Sequence, residues 1–171
     1  DVHGCRAELE ELLGKLGYGV ERDGEGRAVG ARHPEGRTAV FVGDLVDRGP
    51  DSPGVLRLAM GMVEAGDALC VSGNHEAKGR NVKRAHGLAE TLDQLAGEGE
   101  EFSARALEFC DRLVSHYLLD GGELVVAHAG LKESYHGRSS GRVRSFALYG
   151  DTSGETDEYG LALTGGGMNL S

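Results

Sequence analysis

Four short clusters in the 171-residue chain concentrate side chains suited to metal and phosphoryl chemistry: D-V-H at 1–3, G-D-L-V-D-R-G at 43–49, G-N-H-E at 73–76 and H-A-G at 128–130. Carboxylate, imidazole and amide oxygen together suit Mn²⁺, Fe²⁺ or Zn²⁺ and do not make a soft thiolate site. Asp1 and His3 share a face if their segment is extended, because side chains then alternate with a period of two. Asp44 follows an apolar run that can hold it rigidly, with one carboxylate oxygen shared between two ions. Asn74 offers a neutral oxygen and His128 a nitrogen. Two ions about 3.5–4 Å apart clamp a phosphoryl group and make water nucleophilic at neutral pH. Arg48 offers a bidentate fork for phosphate oxygens. His75 sits beside a ligand and can give a proton to the leaving oxygen. Asp47 can orient that histidine and raise its basicity.

Taken singly, these residues have plain structural readings. An Asp in a Gly-rich stretch is commonly a turn former, a histidine commonly fills core or surface, and Arg48 can simply pair with Asp47. The joint pattern argues otherwise, because three apolar segments each end on a ligand-type residue with a glycine beside it. His33, His86, His116 and His136 lack that setting and read as structural, with His86 and His116 in or beside helical stripes.

The elements that must position these residues follow from hydrophobic spacing. Leu9, Leu12, Leu13 and Leu16 predict a helix over 7–17, stopped by Gly17. Residues 27–42 predict a hairpin, with Val29 and Ala31 alternating, a turn at Pro34–Gly36 and TAVFV as a buried strand. Residues 52–65 predict a helix capped by Ser52, with Pro53 in the first helical position. ALCVS at 68–72 reads as a strand. Residues 76–86 read as a basic loop leading into a helix with Leu88, Leu92 and Leu95 on one face. A longer helix then carries Phe102, Ala106, Phe109, Leu113 and Tyr117. ELVVAH at 123–128 is the third strong strand. The tail from Lys132 has a short apolar patch at 146–149, and LTGGGMNLS shows no secondary-structure signal. The recurring order is strand, polar motif, loop or helix, which puts chemistry at the C-terminal ends of strands in an α/β fold.

Composition bounds the function. The net charge is −10, from 18 Lys+Arg and 28 Asp+Glu, which excludes a non-specific nucleic-acid coat. Bound divalent ions would still invert the sign locally. The chain has 29 glycines, more than twice the usual share of about 7% and without a G-x-y period, so many tight loops are expected. The three cysteines form no C-x-x-C pair and read as reduced thiols of a cytoplasmic protein. No apolar run is long enough for a membrane span.

GDLVDRG, GNHE and HAG resemble the binuclear metallophosphoesterases, especially the phosphoprotein-phosphatase-like branch. That resemblance implies a calcineurin-like α/β fold, two packed β-sheets flanked by helices, over one domain at 1–171. It also implies two divalent ions, Mn²⁺ foremost, with Ni²⁺, Fe²⁺ or Zn²⁺ able to take the same ligands. Asp1, His3 and Asp44 would hold the first ion, and Asp44, Asn74 and His128 the second. Arg48 would bind phosphate, and His75 with Asp47 would form the acid–base pair.

DVHGC, FVGDLVDRGPDSPGVL, SGNHE, HGLAETL, LVSHYLLDGGELVVAHAGLKE and SGRVRSFALYGDTSGETDEYGL together are similar to the phosphatase domain of bacterial polynucleotide kinase-phosphatase. That implies removal of 2′- or 3′-phosphates, or opening of 2′,3′-cyclic phosphates, at RNA ends or nucleotides during RNA repair. Kinase and ligase-like modules would lie in the same polypeptide. The basic residues Lys78, Arg80, Lys83 and Arg84, and Lys132, Arg138, Arg142 and Arg144, would receive nucleic-acid phosphates. A Ser/Thr protein phosphatase, a dinucleoside polyphosphate hydrolase and a catalytically silent scaffold share the motif residues and remain alternatives. The family's apolar strand before DVHG and its later G-H-T motif have no counterpart in the text. The expectation is therefore a domain incomplete at both ends, a fragment of a larger protein, with weak or no activity alone.

Overall fold

Apolar spacing builds the first elements much as it predicts. In the computed structural model, which describes residues 1–78, 88–150 and the backbone of strands 152–156 and 162–164, helix α1 (Arg6–Lys15) buries Leu9 and Leu13. The chain divides into two units, Asp1–Val114 and Ser115–Ser171.

In the first unit the hairpin differs from expectation. Strand β1 (Gly19–Arg22) pairs antiparallel with β2 (Ala28–Arg32), and β3 (Ala39–Phe41) is not part of it. The cause is turn chemistry at Asp23. Its Oδ1 accepts the N–H groups of Glu25 and Arg27, both at 2.9 Å, and so closes the chain ahead of the Pro34–Gly36 turn. Strand β3 instead pairs in parallel with β4 (Ala68–Cys70), in register Ala39 to Ala68 and Phe41 to Cys70.

A parallel pair needs a crossover, and helix α2 (Ser52–Glu64) supplies it. The cap of α2 is Asp51 rather than Ser52. Asp51 Oδ1 accepts the Gly54 N–H at 2.8 Å, which shifts Ser52 into the helix. Val55, Leu56, Leu58, Ala59 and Met62 are almost wholly buried and make α2 the centre of the core. Helices α3 (Asn74–Lys78), α4 (Leu88–Ala96) and α5 (Glu100–Arg112) follow. Leu95 and Ala106 close the core from α4 and α5. Arg57 pairs with Glu98 and lies 4.5 Å over the Phe102 ring. Helix α5 ends at Leu113, whose ψ of 132° is extended, so the predicted stripe does not reach Tyr117.

In the second unit Tyr117 lies on β5 (His116–Leu119), which pairs antiparallel with β6 (Leu124–Ala127). His116 is therefore a strand residue. Asp120, Gly121 and Gly122 turn the hairpin with positive φ. The tail carries more order than its composition suggests. Helix α6 (Gly141–Tyr149) is capped by Ser140, whose Oγ accepts the Val143 N–H at 3.2 Å, and buries Val143, Ala147 and Leu148. Strands β7 (Thr152–Thr156) and β8 (Ala162–Thr164) pair antiparallel, so part of LTGGGMNLS is strand.

The α/β class with flanking helices is as expected. Among the described residues the strands are grouped into four two-stranded sheets. No helix there is long and apolar enough to cross a membrane. His86, Arg80, Lys83 and Arg84, with the side chain of Lys78, lie outside the described residues.

Candidate active site

Because β3 and β4 run in parallel, their C-terminal ends lie side by side. Gly43-Asp44 follows one and Gly73-Asn74 the other. Both glycines are needed for the two turns to touch. A Cβ on Gly43 would run into Gly73 N and Cα, and a Cβ on Gly73 into Asp44 N and Oδ1. Glu76, 3% exposed, then ties the turns together. Its Oε2 accepts the N–H of Asp44 at 2.9 Å and of Gly73 at 2.8 Å. Its Oε1 accepts the N–H of Leu45 at 2.7 Å and of Val46 at 3.3 Å. One buried carboxylate thus satisfies four backbone donors that have no strand partner. The backbone it holds is strained. His3, Asp44, Asp47 and Arg48 have φ between 48° and 69°, in the left-handed region non-glycine residues avoid.

The first residues join this strand end through the backbone. The carbonyl of Asp44 accepts the N–H groups of Val2 and His3, each at 2.9 Å. His3 Nδ1 lies 3.0 Å from the carbonyl of Val46. A carbonyl only accepts, so Nδ1 carries the proton and Nε2 presents its lone pair. That Nε2 is buried without a hydrogen-bond partner. It stands 3.7 Å from Asp1 Oδ2 and 3.7 Å from Asp44 Oδ2. A buried lone pair between two carboxylate oxygens, each too far to bond directly, has the donor chemistry of a divalent-cation site. One ligand atom each from His3, Asp44 and His75 lies within 4.8 Å of the others.

His75, on α3, is 4% exposed. Its backbone N–H donates to Asp44 Oδ1 at 3.0 Å, and its ring meets that of His3 edge to face with centroids 4.8 Å apart. Its Nδ1 donates to Asp47 Oδ2 at 2.7 Å, which leaves Nε2 4.0 Å from Asp44 Oδ2. Asp47 is fully buried, and its other oxygen accepts the hydroxyl of Thr91 at 2.6 Å. Arg48 follows with its side chain exposed, so its guanidinium is available to an incoming anion. Asn74, half-buried, is the first residue of α3. His128, also half-buried, follows β6 in the second unit.

The first unit therefore brings Asp1, His3, Asp44, Asp47 and His75 into one cluster, with Asn74 and Arg48 next along the chain. The motif reading assigned no role to Glu76 or Thr91, although both lie in quoted motifs. A single acid or hydroxyl has no periodicity to mark it, and the partners of each are more than 25 residues away except for Gly73. Thiols take no part. Burial, and then the charge of Glu76, pushes the Cys70 and Cys110 thiols well above their usual range.

A profile of the calcineurin-like phosphoesterases matches residues 1–159. The chain belongs to the calcineurin-like phosphoesterase family. The expectation of a metal-dependent phosphoester hydrolase is met at the level of this family.

The phosphoesterase is 41% identical over 173 aligned residues to the asymmetrical bis(5′-nucleosyl)-tetraphosphatase PrpE of Halalkalibacterium halodurans, covering 95% of this chain and 68% of the relative. It is 41% identical over 166 residues to the protein of the same name in Bacillus subtilis, covering 91% and 66%. Against that of Anoxybacillus flavithermus the identity is 39% over 165 residues, covering 91% and 65%. The phosphoesterase thus spans about two thirds of the length of these relatives.

These relatives correct the narrower resemblance. They carry the name of a dinucleoside tetraphosphatase and not of the polynucleotide kinase-phosphatase of RNA repair. The motif residues read from the sequence do not distinguish the two groups, so they could not choose between the substrates. The matched span also leaves the expected kinase and ligase-like modules without a counterpart within it.

Proposed function

We propose that the protein hydrolyses a bis(5′-nucleosyl) tetraphosphate asymmetrically, to a nucleoside monophosphate and a nucleoside triphosphate. The observation that carries this reading is the identity of about two in five residues, along more than nine-tenths of the chain, to proteins of that activity. The site chemistry supports it. Asp1, His3 and Asp44 would hold one divalent ion and Asp44, Asn74 and His128 a second, with Mn²⁺ put first by the family resemblance and Ni²⁺, Fe²⁺ or Zn²⁺ able to take the same donors. Such ions supply Lewis acidity, neutralising phosphate charge and lowering the pKa of water.

The chain's own residues account for the remaining steps. A protein of charge −10 repels a polyphosphate, so the exposed Arg48 supplies a fixed positive fork for its oxygens. Water adds to one phosphorus of the bridge, and the bond to the adjoining bridging oxygen breaks. His75 gives that departing oxygen a proton from Nε2. The buried Asp47 keeps the ring turned so that Nε2 faces the reaction, and it stabilises the positive charge of the protonated imidazole. Glu76 holds the strained turn that presents Asp44. Three cysteines without a disulfide fit the cytoplasmic location read from the sequence.

The test is product analysis. Diadenosine tetraphosphate incubated with the protein and Mn²⁺ should yield AMP and ATP in equal amounts. Two ADP would overturn the asymmetry. No turnover of it, with release of 3′-phosphate from an RNA oligonucleotide, would overturn the substrate and return the reading to RNA ends.

A further inference from the structure

We infer that Thr91, on a helix that contributes nothing to the metal-ligand motifs, is a positioning residue for proton transfer: its hydroxyl fixes the Asp47 carboxylate, and the carboxylate fixes His75. The inference rests on the reading of His75 as proton donor.

The geometry is unusual in being closed on one residue. The Thr91 hydroxyl donates to Asp47 Oδ1 at 2.6 Å, and Thr91 Oγ1 in turn accepts the backbone N–H of Asp47 at 3.1 Å. Asp47 has a φ of 69° and no exposed surface, and Thr91 is 2% exposed. A carboxylate with one oxygen on His75 Nδ1 and the other on Thr91 cannot rotate without losing a bond where water cannot replace it. The direction of the Thr91 bond decides the rest. Because the hydroxyl donates to Oδ1, Oδ2 is left to accept from Nδ1, and Nε2 of His75 is turned toward Asp44.

The two functions of the hydroxyl are separable. The backbone N–H of Asp47 has a second acceptor in Ser52 Oγ at 3.2 Å. Oδ1 has no other donor among the described residues. The neighbours that line the space beside Thr91 and His75, Leu95, Ala106 and Cys110, bring no ready replacement. Removing the hydroxyl should therefore leave the turn in place and free the carboxylate. That predicts a loss confined to the proton-transfer step.

Thr91→Val keeps the side-chain volume and removes the hydroxyl. Thr91→Ser keeps the hydroxyl. Thr91→Ala carries the same reading should Thr91→Val not fold. Each is assayed with Mn²⁺ on an alkyl phosphate, whose alkoxide needs a proton to leave, and on 4-nitrophenyl phosphate, whose phenolate does not. His75→Asn serves as the reference and should lose about 100-fold or more in kcat on the alkyl ester alone. Thr91→Val should lose about 10-fold in kcat on the alkyl ester, part of the general-acid contribution, with KM and the nitrophenyl rate little changed. Thr91→Ser should match wild type.

A second readout needs neither metal nor turnover. The proton resonance of His75 Nδ1–H should be present in wild type and Thr91→Ser and lost or shifted in Thr91→Val. Wild-type kinetics and an unmoved resonance in Thr91→Val would overturn the role of Thr91. Should His75→Asn lose equally on both esters, the proton-donor reading fails, and the resonance alone still decides whether Thr91 positions the ring.

Discussion

Glu76 Oε1 accepts the backbone N–H of Leu45 at 2.7 Å, from a residue 31 positions earlier in the chain. With its bonds to Asp44, Val46 and Gly73, this carboxylate holds two strand ends together in a place where neither is paired. Glu76→Gln would turn an NH₂ group toward donors that need an acceptor. Hydrogen bonds to charged groups contribute about 1.5–3 kcal/mol each, so a loss of about 3 kcal/mol is expected for the variant. Urea unfolding measures it. A change below about 0.5 kcal/mol, the size of an ordinary surface substitution, would remove Glu76 from the account.

The touching turns make a sharper prediction at Gly73. A methyl group there has to displace Asp44, because the Cβ would meet both its backbone nitrogen and its Oδ1. Gly73→Ala is expected to lose divalent-metal binding even if it folds, whereas Gly14→Ala, within α1 with open space around it, should keep it. Metal titration of the two variants checks this. Normal binding by Gly73→Ala would mean that the strand ends tolerate separation.

His75 lies near enough to His3 and Asp44 to be a ligand, yet its Nδ1 is committed to Asp47. The account makes it a proton donor. His75→Ala should therefore retain Mn²⁺ binding within a few-fold while losing about 10²–10⁴ in kcat on a poor leaving group. Loss of metal affinity in step with activity would reassign it as a ligand.

The thiols differ in their readiness to ionise. Burial pushes the Cys70 and Cys110 thiols up, so they carry no thiolate at neutral pH, although Cys110, like Cys5, is half-buried. An alkylating reagent should label Cys5 alone in the native protein and all three cysteines after unfolding. Mass spectrometry of the peptides reads the outcome. Native labelling of Cys110 at the rate of Cys5 would show that its thiol is not held in the neutral form.

Candidate site residues were legible because they follow apolar runs and flank glycines: Asp44 after TAVFV, with Asn74 after ALCVS and His128 after ELVVA proposed on the same pattern. Local patterns carry that information. Which strands pair is not local. The Asp23 turn competes with Pro34–Gly36, and it wins through two side-chain acceptances that composition does not reveal. Helix α6 was hidden because Gly and Ser dilute its apolar positions, although Ser140 caps it in the ordinary way. Tyr117 continues the α5 stripe by spacing alone, but the backbone turns extended at Leu113. Glu76 and Thr91 escaped for a related reason. An isolated polar residue takes its meaning from the buried partners it meets, and most of those partners are remote in the chain.

The most direct measurement of the central claim is calorimetric titration of Mn²⁺ into wild type and Asp44→Ala. Asp44 is the one carboxylate common to both proposed ion sites, buried and aimed at the unpartnered Nε2 of His3. The account predicts two ions bound by wild type, loss of tight binding in Asp44→Ala, and no hydrolysis of diadenosine tetraphosphate by that variant. Unchanged stoichiometry and affinity in Asp44→Ala would contradict it.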